Sequence, residues 1–292
     1  MPVFRHYEQD ELELQYDMSQ RSPELNVIRE QRSQRVDAEA AQVRSSARAW
    51  LDMEYGPHPR ERIDLFEAAA SNAPLLVFIH GGYWKMRSKD EFAWMAPAFT
   101  RRGIALATLG YPLCPQVRIG DIVDSCRRGI AMLWREAKKL GCDPNRIHVA
   151  GHSAGGHLTA MMATTDFSAA GLPADVIKSA TCVSGLYDLV PLRLVKHNRE
   201  LRIDDSDIET LSPVRLAPRA STEINLTVGG EEAPEFVRNT TELGDAWRAR
   251  GASVTMVEAP GFYHFDVLDE FARAGRPMYE RVVSAIEGGK AS

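Results

Sequence analysis

The chain has 292 residues, 44% hydrophobic and 26% charged, with a net charge of −5 and a pI near 5.9. That is enough apolar material for one large globular domain. The basic residues (near 29 to 35, Arg127 with Arg128, Lys138 with Lys139) are interleaved with acids rather than gathered into a stripe, so nucleic acid is excluded as a partner class. No apolar run approaches the roughly 18 residues a membrane span needs. The acidic N-terminus MPVFRHYEQDELELQYDM has no apolar signal-peptide segment, and a cytoplasmic protein without membrane contact is expected. Cys114, Cys126, Cys142 and Cys182 show no CxxC spacing, which predicts reduced core thiols.

Residues 1 to about 55 read as one or two polar helices, an N-terminal extension ahead of the sheet. From residue 60, short β-rich runs alternate with helical patterns, predicting an α/β fold with a mostly parallel sheet covered on both faces. The strand candidates are 61–66, 74–80, 103–110, 146–151, 176–185, 223–230 and 252–259; several are nearly continuous apolar runs, as in strands buried on both faces. Between them, Ser88 and Glu91 are spaced as a capping box, and Gly103 is placed to end the following helix. Gly141 follows Lys138 and Lys139, and Pro234 opens a helix that ends before Gly251. Residues 186–220 interrupt the alternation as a charged, irregular insertion of the kind that forms lids. The whole is read as one domain, 1–292.

The stretch RIHVAGHSAGGHL places Gly151-His152-Ser153-Ala154-Gly155 between a strand and a helix. This is the G-x-S-x-G pattern, in which a serine sits on a strained turn above the sheet and flanking glycines avoid collisions with strand and helix backbone. Such a serine needs a base to take its proton and an acid to orient that base, in the chain order serine, acid, histidine. Downstream histidines are His197, inside the insertion and expected in solvent, and His264, in the loop after the last strand candidate; His264 is the expected base. For the acid, the loop after EINLTVGG offers Glu231, Glu232 and Glu235, and Asp188 competes from the preceding strand. Position alone leaves these open.

Attack on a carbonyl builds negative charge on oxygen and requires preorganised donors. The N–H of Ala154 is one. HGGYW, directly after the strand LLVFIH, supplies others from Gly81, Gly82 and Tyr83, glycine allowing the backbone to approach the substrate closely. His80 is expected to brace this loop by hydrogen bonding. The remaining histidines have no HExxH or other metal-ligand spacing, and neither metal nor cofactor is expected.

HGGYW, SKDEF, GHSAGGHL, SGLYDLVPL, VGGEEAPEF and HFDVLDE, in this order, resemble the α/β-hydrolase kynurenine formamidases (arylformamidases) and their esterase relatives, from about residue 16 to the C-terminus. The resemblance implies a nucleophile at Ser153, a base at His264 and an oxyanion loop at residues 80 to 82. The family's acid is an aspartate that falls on Glu232, where this chain departs by one methylene. It implies a small-molecule substrate, an N-formylated arylamine or an aryl ester, with Tyr16, Trp84, His152, Tyr187, Phe236 and Phe262 as expected contacts. Carboxylesterase or amidase activity is the nearest alternative, and a non-catalytic binding protein the remote one.

Overall fold

The computed structural model describes residues 1–17 and 24–288. Among the described residues, helices α1 (Gln9–Tyr16) and α2 (Leu25–Ser46) precede a sheet of eight strands: β1 (Ala49–Glu54), β2 (Arg62–Phe66), β3 (Ala73–Ile79), β4 (Ala105–Leu109), β5 (Cys142–His152), β6 (Ile177–Val183), β7 (Glu223–Gly229) and β8 (Val254–Ala259). Between them run α3 (Ala96–Thr100), α4 (Ile119–Glu136), α5 (Ala154–Thr164), α6 (Val190–Leu194), α7 (Asn198–Leu201), α8 (Asp205–Leu211) and α9 (Pro234–Ala249). The chain closes with α10 (Leu268–Ala272) and α11 (Pro277–Glu287).

The spatial order is β1-β2-β4-β3-β5-β6-β7-β8, with β1 and β2 antiparallel to their neighbours and all other pairs parallel. Every residue of β3 (APLLVFI) is buried, because helices pack on both faces; two apolar clusters, one on each side, form the core. Each fully buried Leu, Ile or Phe there contributes about 1.5–3 kcal/mol relative to exposure. All four cysteines are buried and free.

Sheet order decides where chemistry can sit. From β3 the chain moves one way to β4 and then crosses back to β5 on the other side of β3, so β3 and β5 part at their carboxyl ends and leave a crevice there. The registers Ile79↔Gly151, His152↔Val183, Val183↔Thr227 and Gly229↔Ala259 bring the ends of β3, β5, β6, β7 and β8 level. The loops carrying HGGYW, Ser153, Ser184, Glu232 and His264 therefore emerge side by side.

The N-terminal reading requires one correction. Residues 49–54 are not a helical extension but strand β1. It is an edge strand whose Trp50 and Leu51 are exposed, so no buried face imposes an apolar alternation that could be read. It is tied in by charge: Lys89 Nζ lies 2.7, 2.6 and 2.7 Å from Asp52, Asp64 and Asp90, and Arg44 of α2 reaches the same three carboxylates at 3.2, 2.9 and 3.0 Å. In the 186–220 segment, Leu189, Leu192, Val195, Leu201, Ile208 and Leu211 are all buried in the core.

Candidate active site

Ser153 stands between β5 and α5 with φ 58° and ψ −123°, a conformation that costs on the order of 1–3 kcal/mol for a residue with a Cβ. The neighbouring glycines explain why the turn closes. A Cβ on Gly151 would lie 2.3 Å from the Gly155 carbonyl oxygen, and one on Gly155 only 2.0 Å from that of Ile79. Helix α5 thus starts directly against the backbone of β3 and β5. The Ser153 N–H donates to Val183 O at 2.9 Å, and Ser153 is 4% exposed.

The loop after β8 brings His264 to this serine. The Tyr263 N–H donates to Asp266 Oδ1 (2.7 Å) and the Val267 N–H to Tyr263 O (3.0 Å), a tight turn that fixes the histidine between them. His264 Nε2 is 3.0 Å from Ser153 Oγ, and His264 Nδ1 is 2.6 Å from Glu232 Oε2. The other oxygen, Oε1, accepts the Gly229 N–H (2.8 Å) and the Ser184 hydroxyl. Hydroxyl, imidazole and carboxylate thus form one buried series that can move a proton from the serine and hold the resulting imidazolium. The other acid candidates are engaged elsewhere. Asp188 pairs with Arg238 (3.2 Å) and caps the Val190 N–H (3.1 Å), Glu235 binds Arg238 and accepts from Tyr16, and Glu231 is exposed.

The loop after β3 faces the serine from the other side. Gly82, Tyr83 and Trp84 all have positive φ (108°, 49°, 55°), and a Cβ on Gly81 would lie 2.7 Å from His152 O and 3.1 Å from Ser153 Cβ. Among the described residues, the N–H groups of Gly82, Tyr83 and Ala154 donate to no loop or turn carbonyl, so they remain available to an oxyanion. His80 is buried below them, its Nδ1 2.8 Å from Gly81 O and its ring 4.1 Å from that of Tyr111, whose hydroxyl donates to His80 O (2.7 Å). Burial holds its pKa down to about 3, so it braces the loop as a neutral group.

A cavity of about 810 Å³ opens over Ser153. Tyr16, Gly81, Gly82, Tyr83, His152 and His264 border it. Burial first, and then the adjacent His264, keep His152 well below the usual histidine pKa, so it stands beside His264 as a neutral ring. Four expected contacts lie off the cavity. Trp84 is in the core, edge-on to His157 at 5.0 Å. Tyr187 turns inward, its hydroxyl accepting the Gly185 N–H at 3.1 Å. Phe236 packs behind His264 at 4.4 Å, supporting the imidazole, and Phe262 faces Arg276 at 5.8 Å. Each aromatic is drawn to core or helix packing, which a sequence offers no means to separate from a pocket wall.

His197, expected in solvent, instead lies against Tyr83 (4.3 Å) and borders the cavity, where burial lowers its pKa. The larger omission is α2. Arg29, Arg32, Ser33, Val36 and Asp37 all face the cavity, and their spacing i, i+3, i+4, i+7, i+8 is one face of a helix. That signal was present, but on a polar face no apolar pattern marks it. Asp52, Asp64 and Asp90, the group of carboxylates placed to hold a metal among the described residues, are closed on Lys89 and Arg44.

Comparison with known proteins fits this geometry. A family model described as BD-FAE matches residues 63–182. The kynurenine formamidase of Danio rerio is 29% identical over 280 residues, covering 92% of this chain and 94% of that one. The crystal structure of a protein described as a candidate thioesterase from Silicibacter superposes with a TM-score of 0.76 at 32% identity, covering 87% of this chain and 91% of that one. The chain belongs to the α/β-hydrolase family of kynurenine formamidases and esterases. It also resembles an isoprenylcysteine alpha-carbonyl methylesterase of Arabidopsis thaliana, at 30% identity over 80% of this chain and 60% of that one. As a member of this family it is a hydrolase. No helix among the described residues is long and apolar enough to cross a membrane.

Proposed function

We propose that the chain removes a formyl or other small acyl group from an arylamine, as a serine hydrolase in which Ser153 is the nucleophile, His264 the base and Glu232 the acid. The reading is carried by the single series of contacts from Ser153 Oγ through His264 to Glu232, at 3.0 and 2.6 Å. In the first half-reaction His264 Nε2 takes the Ser153 proton as Oγ bonds to the acyl carbon. The carbonyl electrons move onto oxygen, facing the N–H groups of Gly82, Tyr83 and Ala154. Collapse of that intermediate breaks the C–N bond, and His264 gives its proton to the departing amine. Water then repeats the sequence on the acyl-enzyme, restoring Ser153. Glu232, 2.6 Å from Nδ1, holds the imidazole in the tautomer that accepts at Nε2.

The formamidase assignment is supported by the near full-length relative of that name and by an aromatic rim of Tyr16, Tyr83, Phe92 and Trp94 around the cavity. Two experiments test the reading. A fluorophosphonate probe should label Ser153 in the folded protein; an unlabelled Ser153 would rule out the serine mechanism. The ratio of kcat/KM for N-formylkynurenine to that for p-nitrophenyl acetate then separates formamidase from esterase. A preference of several decades for the ester would favour the second reading, a carboxylesterase, which the methylesterase relative also supports.

A further inference from the structure

Two consecutive residues with side chains, Tyr83 and Trp84, sit in the left-handed region directly after Gly82, at φ 49° and 55°. Such a pair costs free energy and persists only where its surroundings over-determine it. Trp84 is held by the core: its side chain is buried and its carbonyl accepts the Cys114 N–H at 2.8 Å. Tyr83 is held from outside the loop. Its hydroxyl donates to the carbonyl oxygen of Tyr16 at 2.5 Å, and the His197 ring lies against its own at 4.3 Å. Tyr16, the last residue of α1, is fixed in turn. It is buried, and its hydroxyl donates to Glu235 Oε2 at 2.7 Å, at the start of α9. Glu235 is paired with Arg238 (2.7 Å), which also reaches Asp188 and Glu242 (3.2 and 2.7 Å). Burial first, and then the neighbouring Glu235, raise the Tyr16 phenol well above its usual pKa, so it stays a donor. One series of contacts thus runs from Arg238 through Glu235 and Tyr16 to the backbone of the HGGYW loop.

We propose that Tyr16 is a positioning residue for the oxyanion loop: its carbonyl anchors the Tyr83 hydroxyl, and its own hydroxyl, bound to Glu235, keeps that carbonyl in place. The strut sets the Tyr83 backbone, and with it the direction of the Tyr83 N–H, from a residue 67 positions earlier in the chain. An oxyanion donor contributes most when it is already aimed at the developing charge. That charge exists in the transition state and not in the bound substrate, so loosening the strut lowers kcat and leaves KM alone. A substrate contact through Tyr16, which borders the cavity, would instead raise KM. This role rests on the serine-hydrolase reading above and deepens it.

The test uses Tyr83→Phe and Tyr16→Phe, each of which deletes one hydroxyl of the strut and leaves the ring in place. With p-nitrophenyl acetate we expect kcat to fall about tenfold in either variant, with KM changed less than about twofold. Because both act through one strut, the double variant should also lose about tenfold rather than about a hundredfold. Phenylboronate, which adds to Ser153 Oγ as a tetrahedral anion, should bind each variant more weakly by the same factor; a purely structural role would leave its Ki unchanged in the folded protein. Tyr83→Phe leaves the buried Tyr16–Glu235 pair intact, so it tests the strut even where Tyr16→Phe does not fold. Wild-type kcat in either variant, multiplicative losses in the double variant, or a change confined to KM would overturn the strut. A wild type that a fluorophosphonate does not label and phenylboronate does not inhibit would remove the serine mechanism and the strut with it. A labelled and inhibited wild type with unaffected variants would remove the strut alone.

Discussion

The Ser184 hydroxyl donates to Glu232 Oε1, joining the end of β6 to the loop after β7. Ser184 holds φ 49° to do so, and its own N–H donates to Thr227 O at 2.7 Å. The bond matters because a glutamate is one methylene longer than an aspartate and needs a second anchor to keep Oε2 on His264. Ser184→Ala should lower kcat about tenfold with KM unchanged and cost about 1–2 kcal/mol of stability. Steady-state kinetics with p-nitrophenyl acetate checks this; wild-type kcat would mean that the Gly229 N–H suffices alone.

Glu232→Gln keeps the shape and removes the charge that stabilises the imidazolium. A loss of about 10³–10⁴ in kcat is expected, against less than tenfold for Asp188→Asn, whose carboxylate is committed to Arg238. Finding the larger loss in Asp188→Asn would reverse the assignment of the acid.

At Gly82, φ is 108° and an added Cβ would lie 2.4 Å from Met86 O. Gly82→Ala should therefore displace the loop and reduce kcat about 100-fold through lost oxyanion contacts. Gly103→Ala is the control: it also has positive φ (75°) but nothing within 4 Å, so it should cost about 1 kcal/mol in urea unfolding and leave kcat alone.

Stability should fall on the acid side of neutrality through buried histidines. His148 hydrogen-bonds Ser179 Oγ at 2.8 Å, and burial, with Arg146 and Lys178 adding to it, lowers its pKa to about 3; burial lowers His157 to about 4. In the unfolded chain they protonate near pH 6.5. Their stabilising contribution is complete above that pH and is lost as pH falls toward 3 to 4, by up to about 1.4 kcal/mol per pH unit for each group. Urea titrations between pH 4 and 7 should show His148→Gln with a slope smaller by about one proton; an unchanged slope would mean that His148 is charged in the native state.

The sequence by itself determined those features whose physics is local to the backbone. A glycine two residues either side of Ser153, two more after a buried strand, and alternating apolar runs each report a steric or solvation demand within a few residues. The α/β alternation and the positions of the loops around Ser153 follow from them. What needed the tertiary structure depends on contacts between distant segments. That Glu232 and none of its neighbours meets His264 goes with Ser184 and Gly229 holding its other oxygen. The edge strand β1 is held by a charge cluster, not by burial, and Trp84, Tyr187, Phe236 and Phe262, which lie off the cavity, are separated from Tyr16 and Tyr83, which border it, by side-chain direction alone. Most of all, the cavity wall comes from a polar helix more than a hundred residues before Ser153. Such a helix is placed by ion pairs such as Arg32 with Asp269 and Arg44 with Asp64 together with the burial of Val36 and Ala40, and so short an apolar stripe on a largely polar helix is a weak trace to read.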